Sequence, residues 1–459
     1  MPGAETILIL LILIVAALTW ILPAGQYAYL PDGAPITGSY QAVARSGQNL
    51  WAVTRAPLEG FYEAAQVAVF ILMVGGFLGV VGKTGAIDGG IAAIVEKLGD
   101  RGGILIPILM AAFALGGTTF GMSEETIAFY PLLLPVMVAA GYDTVTAVGV
   151  ILLGAGAGVL GSTVNPFATG IAAGFAGIGL GQGIGLRLLL LGISLGLSVG
   201  YVLYYGARVR SQPERSLVAA QREENLRQFA LERRDGKKLN RQQKMALWLF
   251  AGTFLVMIYG VIPFSDMGIT AIPTLGWWFP ELSALFWVAA VLTGMLCGVG
   301  EKEIIGGFVA GAAELLEVAF IIGISRGITV IMNQGKITDT ILYWGEQALS
   351  ETGGVGFILI AFGVFLVLSF LIPSSSGLAT LSMPIMAPLA EMTGVSRALL
   401  VTAYQAASGL VNLITPTSAV VMGALAIGRV PYGVWIRFVL PLLGALTAVC
   451  LICLSLAAL

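Results

Sequence analysis

Apolar residues along the chain fall into runs close to the ~20 residues that cross a ~30 Å hydrocarbon core, separated by polar or glycine-rich joints. The first run, Thr6 to Leu22, has no basic residues before it and no small-residue cleavage site after it, so it reads as a membrane span. Further spans are predicted near residues 61–82, 145–176, 185–206, 245–264, 282–299, 304–333, 395–426 and 432–457, giving nine crossings. Residues 103–140 and 355–392 do not fit as simple crossings. Each holds two apolar arms around a polar, breaker-rich tip, Gly116 to Glu125 in one and Pro373-Ser374-Ser375-Ser376-Gly377 in the other. Non-helical backbone at membrane depth survives only when buried in protein or lining a wet cavity, so both segments are predicted to be re-entrant hairpins. The fold class is an all-α polytopic membrane protein.

The pattern repeats. Thr84-Gly85-Ala86-Ile87-Asp88 echoes Gln334-Gly335-Lys336-Ile337-Thr338-Asp339, and on that match Arg326 corresponds to Gly76. Pro131, Pro135 and Gly141 match Pro384, Pro388 and Gly394 with identical spacing, and Asn165-Pro166 is echoed by Thr415-Pro416. The chain therefore divides into a first helix and extracytoplasmic segment (1–59), a first repeat (60–206), a basic linker (207–244), two connecting helices (245–303) and a second repeat (304–459). Asp88 and Asp339 follow the matched turns and are read as caps of short amphipathic helices.

Composition narrows the chemistry. The chain is 58% hydrophobic and 10% charged, against about 45–50% and roughly 25% in soluble domains. It has no histidine, which removes imidazole catalysis and His-based metal sites, and its three cysteines all lie in apolar runs. Nothing points to an enzyme or a resident cofactor.

Charge placement sets the orientation. Eleven of the 23 basic residues lie in the linker, which is expected to be cytoplasmic. Lys83, Lys97, Arg101, Lys302, Arg429 and Arg437 then fall on the same side, and the N-terminus is cytoplasmic and the C-terminus extracytoplasmic. On that map the first repeat starts outside and the second inside, so the two are inverted. Inverted repeats with paired breaks are a signature of secondary transporters, and the breaks point at the substrate. The linker lacks the aromatic interleaving of a nucleic-acid module; anionic lipid headgroups would attract it.

Four breaker clusters carry the candidate chemistry. The tips supply Thr118, Thr119, Ser123 and Ser374 to Ser376; the interrupted spans supply Ser162, Thr163 and Asn165, and Asn412, Thr415 and Thr417. Half-helix N-termini suit a carboxylate and half-helix C-terminal carbonyls suit Na⁺, so Asn165 and Asn412 are candidates for both substrate and ion. Glu124 and Glu125 have no acidic counterpart in the second repeat. They read either as functional groups (proton carriers, cation ligands or partners for a basic substrate) or as caps of the following helix. Arg326 reads either as a clamp on a substrate carboxylate or as a structural partner of Glu314, Glu317 or a hairpin acid.

Gly121-Met122-Ser123-Glu124-Glu125-Thr126-Ile127-Ala128-Phe129-Tyr130-Pro131, the run Gly161 to Gly170, Ile372 to Gly377, Asn412 to Ser418 and Pro23-Ala24-Gly25-Gln26-Tyr27 resemble the C4-dicarboxylate anaerobic carrier family, in its YfcC-like branch of the ion transporter superfamily. The resemblance covers essentially the whole chain. It starts almost at the first span, implying that the short cytoplasmic leader typical of relatives is missing. The resemblance implies scaffold and transport domains, a homodimer, elevator-like alternating access, coupling to Na⁺ or H⁺, and a location in the bacterial inner membrane. The implied substrate is a C4-dicarboxylate or an amino acid, with a basic amino acid antiporter of the arginine/ornithine type as one alternative. A gated channel for small organic anions is the alternative from another class.

Overall fold

The computed structural model describes residues 4–31, 34–87, 90, 103–229, 239–261, 264, 271–350 and 352–459. Asp88, the first short amphipathic helix and linker residues 230–238 lie outside the described residues.

The chain opens with α1 (Ala4–Ile21), followed by a small antiparallel ribbon of β1 (Gly25–Gln26) and β2 (Gln41–Ala42). The first half continues through α2 (Leu50–Glu63), α3 (Ala65–Lys83), α4 (Leu105–Phe120), α5 (Tyr130–Ala139), α6 (Thr144–Leu160), α7 (Ile171–Phe175) and α8 (Ile184–Ser211). The linker contributes α9 (Arg222–Gln228), and α10 (Arg241–Val261) and α11 (Phe279–Leu296) connect the halves. The second half runs through α12 (Glu301–Glu314), α13 (Leu316–Gln334), α14 (Thr338–Ser350), α15 (Gly354–Leu371), α16 (Ser375–Met392), α17 (Arg397–Val411), α18 (Ala419–Ile427) and α19 (Tyr432–Ala457).

The halves share one plan. α2 and α3 have 14 and 19 residues, as do α12 and α13. Each pair breaks at one residue in the same conformation, Ala64 at φ −95° and ψ 7° and Leu315 at φ −101° and ψ 7°. The turns that follow also match: Gly85 and Lys336 both have positive φ, 61° and 53°. These matched pairs lie 251 positions apart, so the repeat starts at Leu50 and Glu301, earlier than residues 60 and 304, and Arg326 corresponds to Gly75 where the motif match gave Gly76.

The two broken helices cross antiparallel, α3 against α12 and α2 against α13. Gly75 meets Gly311 while Gly79 meets Gly307, and Gly60 meets Gly323 and Gly327. A Cβ at Gly60 or Gly311 would strike facing backbone. Glycine is what allows approach this close where apolar burial alone gives helices no reason to associate. The contact of Gly60 with Arg326 maps onto that of Gly311 with Gly75, which is the inverted two-fold relation.

Among the described residues seven helices are long and apolar enough to cross a membrane: α3, α8, α10, α11, α13, α15 and α19. α1, α4 and α6 are shorter apolar helices. The apolar runs 145–176, 304–333 and 395–426 are each two helical pieces around a break; the first and last of these and α1 fall short of the length criterion, while the hairpin arm α15 meets it, so a count by length differs from nine. α4 and α5, like α15 and α16, form helix–tip–helix hairpins, with α4 packed on α6 and α15 on α17. Phenylalanines join α3, α10 and α11, with Phe70 5.6 Å from Phe279 and Phe77 stacked on Phe250 at 5.7 Å between centroids.

Residues 23–31 and 34–49 form a strap over α14 and α16. The Tyr27 amide and Tyr29 hydroxyl donate to the Asp339 carboxylate at 3.0 and 2.5 Å, and the Tyr27 hydroxyl donates to Glu346 at 2.6 Å. Burial, then the neighbouring carboxylates, push both phenols well above their ordinary value. Asp339 thus anchors the strap in addition to standing at the start of α14.

Candidate functional site

Each hairpin tip meets the break of its neighbouring span through hydroxyl groups. In the first half α4 ends on Gly121, whose φ of 73° is the left-handed conformation that favours glycine at a helix terminus. A Cβ there would also collide with the Asn165 amide. One turn earlier, Thr118 Oγ1 donates to the Gly161 carbonyl at 2.9 Å and accepts from the Thr163 amide at 3.0 Å. Thr163 Oγ1 in turn approaches the Thr118 carbonyl at 3.1 Å. In the second half Thr417 Oγ1 donates to the Phe370 carbonyl at 2.8 Å, and Thr415 and Thr417 hydroxyls share a 2.7 Å bond. A break threonine thus satisfies a last-turn carbonyl of the hairpin in both halves, answering the orphaned acceptors of a helix end.

The two tips and two breaks enclose one cavity of about 1300 Å³, including its open mouth. Hairpin 1 contributes Gly121, Ser123, Glu124 and Glu125; the α6 break contributes Asn165; hairpin 2 contributes Ser374, Ser375 and Ser376. Asn412, Thr417 and Ser418 come from the second break, and Arg326 comes from α13. Charged groups unique to opposite halves therefore face one space.

The cavity carries charged groups of both signs. Ser374 caps α16, accepting from the Gly377 amide at 3.2 Å, and Ser418 precedes α18 without a side-chain cap. Two helix N-termini and Arg326 suit an anion. Among the described residues Arg326 forms no ion pair or hydrogen bond; the three salt bridges, Arg55–Glu59, Arg397–Glu391 and Arg429–Glu224, lie elsewhere. Arg326 is thus not spent on Glu314 or Glu317. Glu125 is 8% exposed and accepts from the Ser123 amide at 3.1 Å, a cap-like contact, whereas Glu124 makes no such bond among the described residues.

Five candidates stand off the cavity. Thr118 and Thr163 are buried against each other. Thr119 is exposed and donates back to the Leu115 carbonyl at 2.6 Å. Ser162 is buried and shares a 2.6 Å bond with Thr169, and Thr415 faces Thr417. These hydroxyls satisfy the breaks instead of lining the space between them.

The break carbonyls are also engaged. Gln405 Nε2 donates to the Val159 carbonyl at 2.7 Å, Trp435 Nε1 to Leu413 at 2.9 Å and the Tyr432 hydroxyl to Ile414 at 2.7 Å. Three carbonyls around the breaks thus hold side-chain donors.

Sequence reasoning missed Ser325, whose hydroxyl donates to the Thr417 carbonyl and ties α13 to the second break. Trp278 and Phe279, ring centroids 5.0 Å apart, also line the cavity from the start of α11. Adjacent aromatics at a span end carry no signal that separates a cavity wall from a lipid anchor.

Paired broken helices around a central polar cavity define a multi-pass membrane transporter. The profile of the C4-dicarboxylate anaerobic carrier family, DcuC, matches residues 1–458, and the chain belongs to that family. An uncharacterized protein of Haemophilus influenzae is 34% identical, covering 97% of this chain and 94% of its own. The putative basic amino acid antiporter YfcC of Escherichia coli is 28% identical over the same shares. Among solved structures, the YdaH transporter of Alcanivorax borkumensis aligns at a TM-score of 0.44 and 14% identity, covering 99% of this chain and 98% of that one. MtrF of Neisseria gonorrhoeae aligns at 0.44 and 15% identity, covering 100% and 95%.

Proposed function

We propose that the protein is an ion-coupled secondary active carrier of the bacterial inner membrane that moves a small carboxylate-bearing metabolite with a cationic group, an amino acid, by elevator-like alternating access. One observation carries the reading: unpaired Arg326 and unpaired Glu124 face the same cavity from opposite halves. An α-carboxylate would meet Arg326 and the N-termini of α16 and α18, and an ammonium or guanidinium would meet Glu124 and Glu125. Glu124 and Glu125 are also the groups to which a coupling Na⁺ or H⁺ would bind. One charge moved through 100 mV supplies about 2.3 kcal/mol, so one or two coupled cations suffice for substantial accumulation.

The family description and the hydroxyl-rich tips favour a second reading, a C4-dicarboxylate carrier. A thermal-shift screen of dicarboxylates, basic amino acids and neutral amino acids, each with and without Na⁺, decides between them. A ligand at 100 times its Kd stabilises the native state by about 2.7 kcal/mol. Arginine or ornithine should give the largest shift; a larger shift with succinate overturns the amino acid reading. Counterflow in proteoliposomes that saturates with substrate supports a carrier, and flux that does not saturate supports a channel.

A further inference from the structure

A second cavity of about 890 Å³ lies between α3, α12 and α5, lined by Gly79, Gly82, Lys83, Pro131, Gly311 and Glu314 among others. It shares no lining residue with the central cavity. Each shared element carries buried apolar residues between the two spaces: Phe70, Ile71 and Val74 on α3, Ile127 and Ala128 on hairpin 1, and Val318 and Ile322 on α13. The cleft therefore sits beyond an apolar barrier, one layer along the same helices.

The inverted repeat shows what occupies the equivalent place in the second half. Pro131 corresponds to Pro384 and Lys83 to Gln334. There the strap closes the position, with Thr37 Oγ1 donating to the Pro384 carbonyl at 3.0 Å and Ser46 Oγ donating to the Gln334 carbonyl at 2.8 Å. In the first half no such bond reaches the matching positions among the described residues, and they line the cleft. That space holds two opposite charges, Lys83 and Glu314, neither of which forms an ion pair or a hydrogen bond among the described residues. Both side chains are exposed, so each is free to meet a solute that enters the cleft.

We propose that this cleft is a second binding station, on the side that the charge distribution assigns to the cytoplasm, for a small dipolar solute whose carboxylate faces Lys83 and whose cationic group faces Glu314. This rests on the amino acid carrier reading above. The station holds the solute between the central cavity and the cytoplasm, and the sealed counterpart makes the route one-sided.

Gly82 is a natural reporter, because a Cβ there meets nothing within 4 Å. Gly82→Cys is made in full-length protein whose three native cysteines are serine, and labelled with a membrane-impermeant maleimide in vesicles of each orientation. Labelling is expected only from the cytoplasmic face, slowed about tenfold by saturating L-arginine, the change of one charge-assisted contact. Glu314→Gln or Lys83→Gln in the same background should abolish that protection, and Arg326→Ala should leave it. Labelling from the outer face, a rate indifferent to arginine, or protection that survives Glu314→Gln overturns the proposal. So does protection lost in Arg326→Ala, since Gly82 would then be reporting the central cavity. If the wild-type protein carries no arginine into proteoliposomes, the carrier reading fails first and this station with it. If it carries arginine but the Gly82 reporter is unprotected, only the station fails.

Discussion

Thr118 and Thr163 hold each other at two points, the Thr163 amide donating to Thr118 Oγ1 at 3.0 Å and the two hydroxyls meeting at 3.1 Å. The pair joins the first hairpin to the broken span beside it, and both residues are buried. Thr118→Val keeps the shape and strands the Gly161 carbonyl, while the Thr163 amide and hydroxyl keep the residue-118 carbonyl as acceptor. Leaving a buried partner unsatisfied costs about 1–3 kcal/mol. The variant should melt several degrees lower in detergent while still being stabilised by bound substrate. A melting temperature equal to wild type would show that the hairpin needs no such clamp.

Arg326 has the opposite profile. Among the described residues it faces the cavity without a protein partner, so if the proposed site is right Arg326→Ala removes a ligand contact and leaves no buried charge behind. A hydrogen bond to a charged group is worth about 1.5–3 kcal/mol, which corresponds to roughly 10- to 100-fold in Kd. Isothermal titration should show that loss with an unchanged melting temperature in the absence of substrate. Arg326→Lys should recover only part of the affinity, because an ammonium lacks the planar fork that grips a carboxylate at two points.

The two glutamates should separate. Glu125 is buried and bound to the Ser123 amide, so Glu125→Gln alters both the local turn and the proton or cation it can take up. Glu124 faces the cavity without such a bond, so Glu124→Gln should weaken binding of a cationic substrate with little change in stability. Uptake assayed across Na⁺ concentration and pH checks both. Unchanged dependence in both variants removes the carboxylates from coupling.

Much of this arrangement is legible in the sequence because the membrane imposes length and the breakers impose position. The hairpins, both interrupted spans and the unmatched Glu124, Glu125 and Arg326 are visible as apolar runs and as departures from a repeat. α2 is not: residues 50–63 lie in a polar stretch and contain Pro57, so nothing local distinguishes them from a loop. The breaks at Ala64 and Leu315 are also invisible, since alanine and leucine are strong helix formers and the interruption comes from antiparallel packing. The direction in which Thr118, Thr119 and Ser162 point is set by which helix covers them, and only the tertiary contacts decide that.

The antiparallel glycine seam yields a symmetric prediction. Gly60 and Gly311 occupy matched positions, and each faces the backbone of the opposite broken helix with no room for a Cβ. Overpacking a close contact costs about 1–3 kcal/mol, so Gly60→Ala and Gly311→Ala should destabilise to similar extents. Gly196 in α8 has open space around it, and Gly196→Ala should be neutral or stabilise by about 0.5–1 kcal/mol, as expected for replacing a glycine inside a helix. Thermal unfolding of the three variants in the same detergent measures the contrast. A neutral Gly60→Ala beside a damaging Gly311→Ala would break the proposed equivalence of the two halves at their crossing. Equal losses well above that of Gly196→Ala would confirm that the inverted repeats meet at this seam.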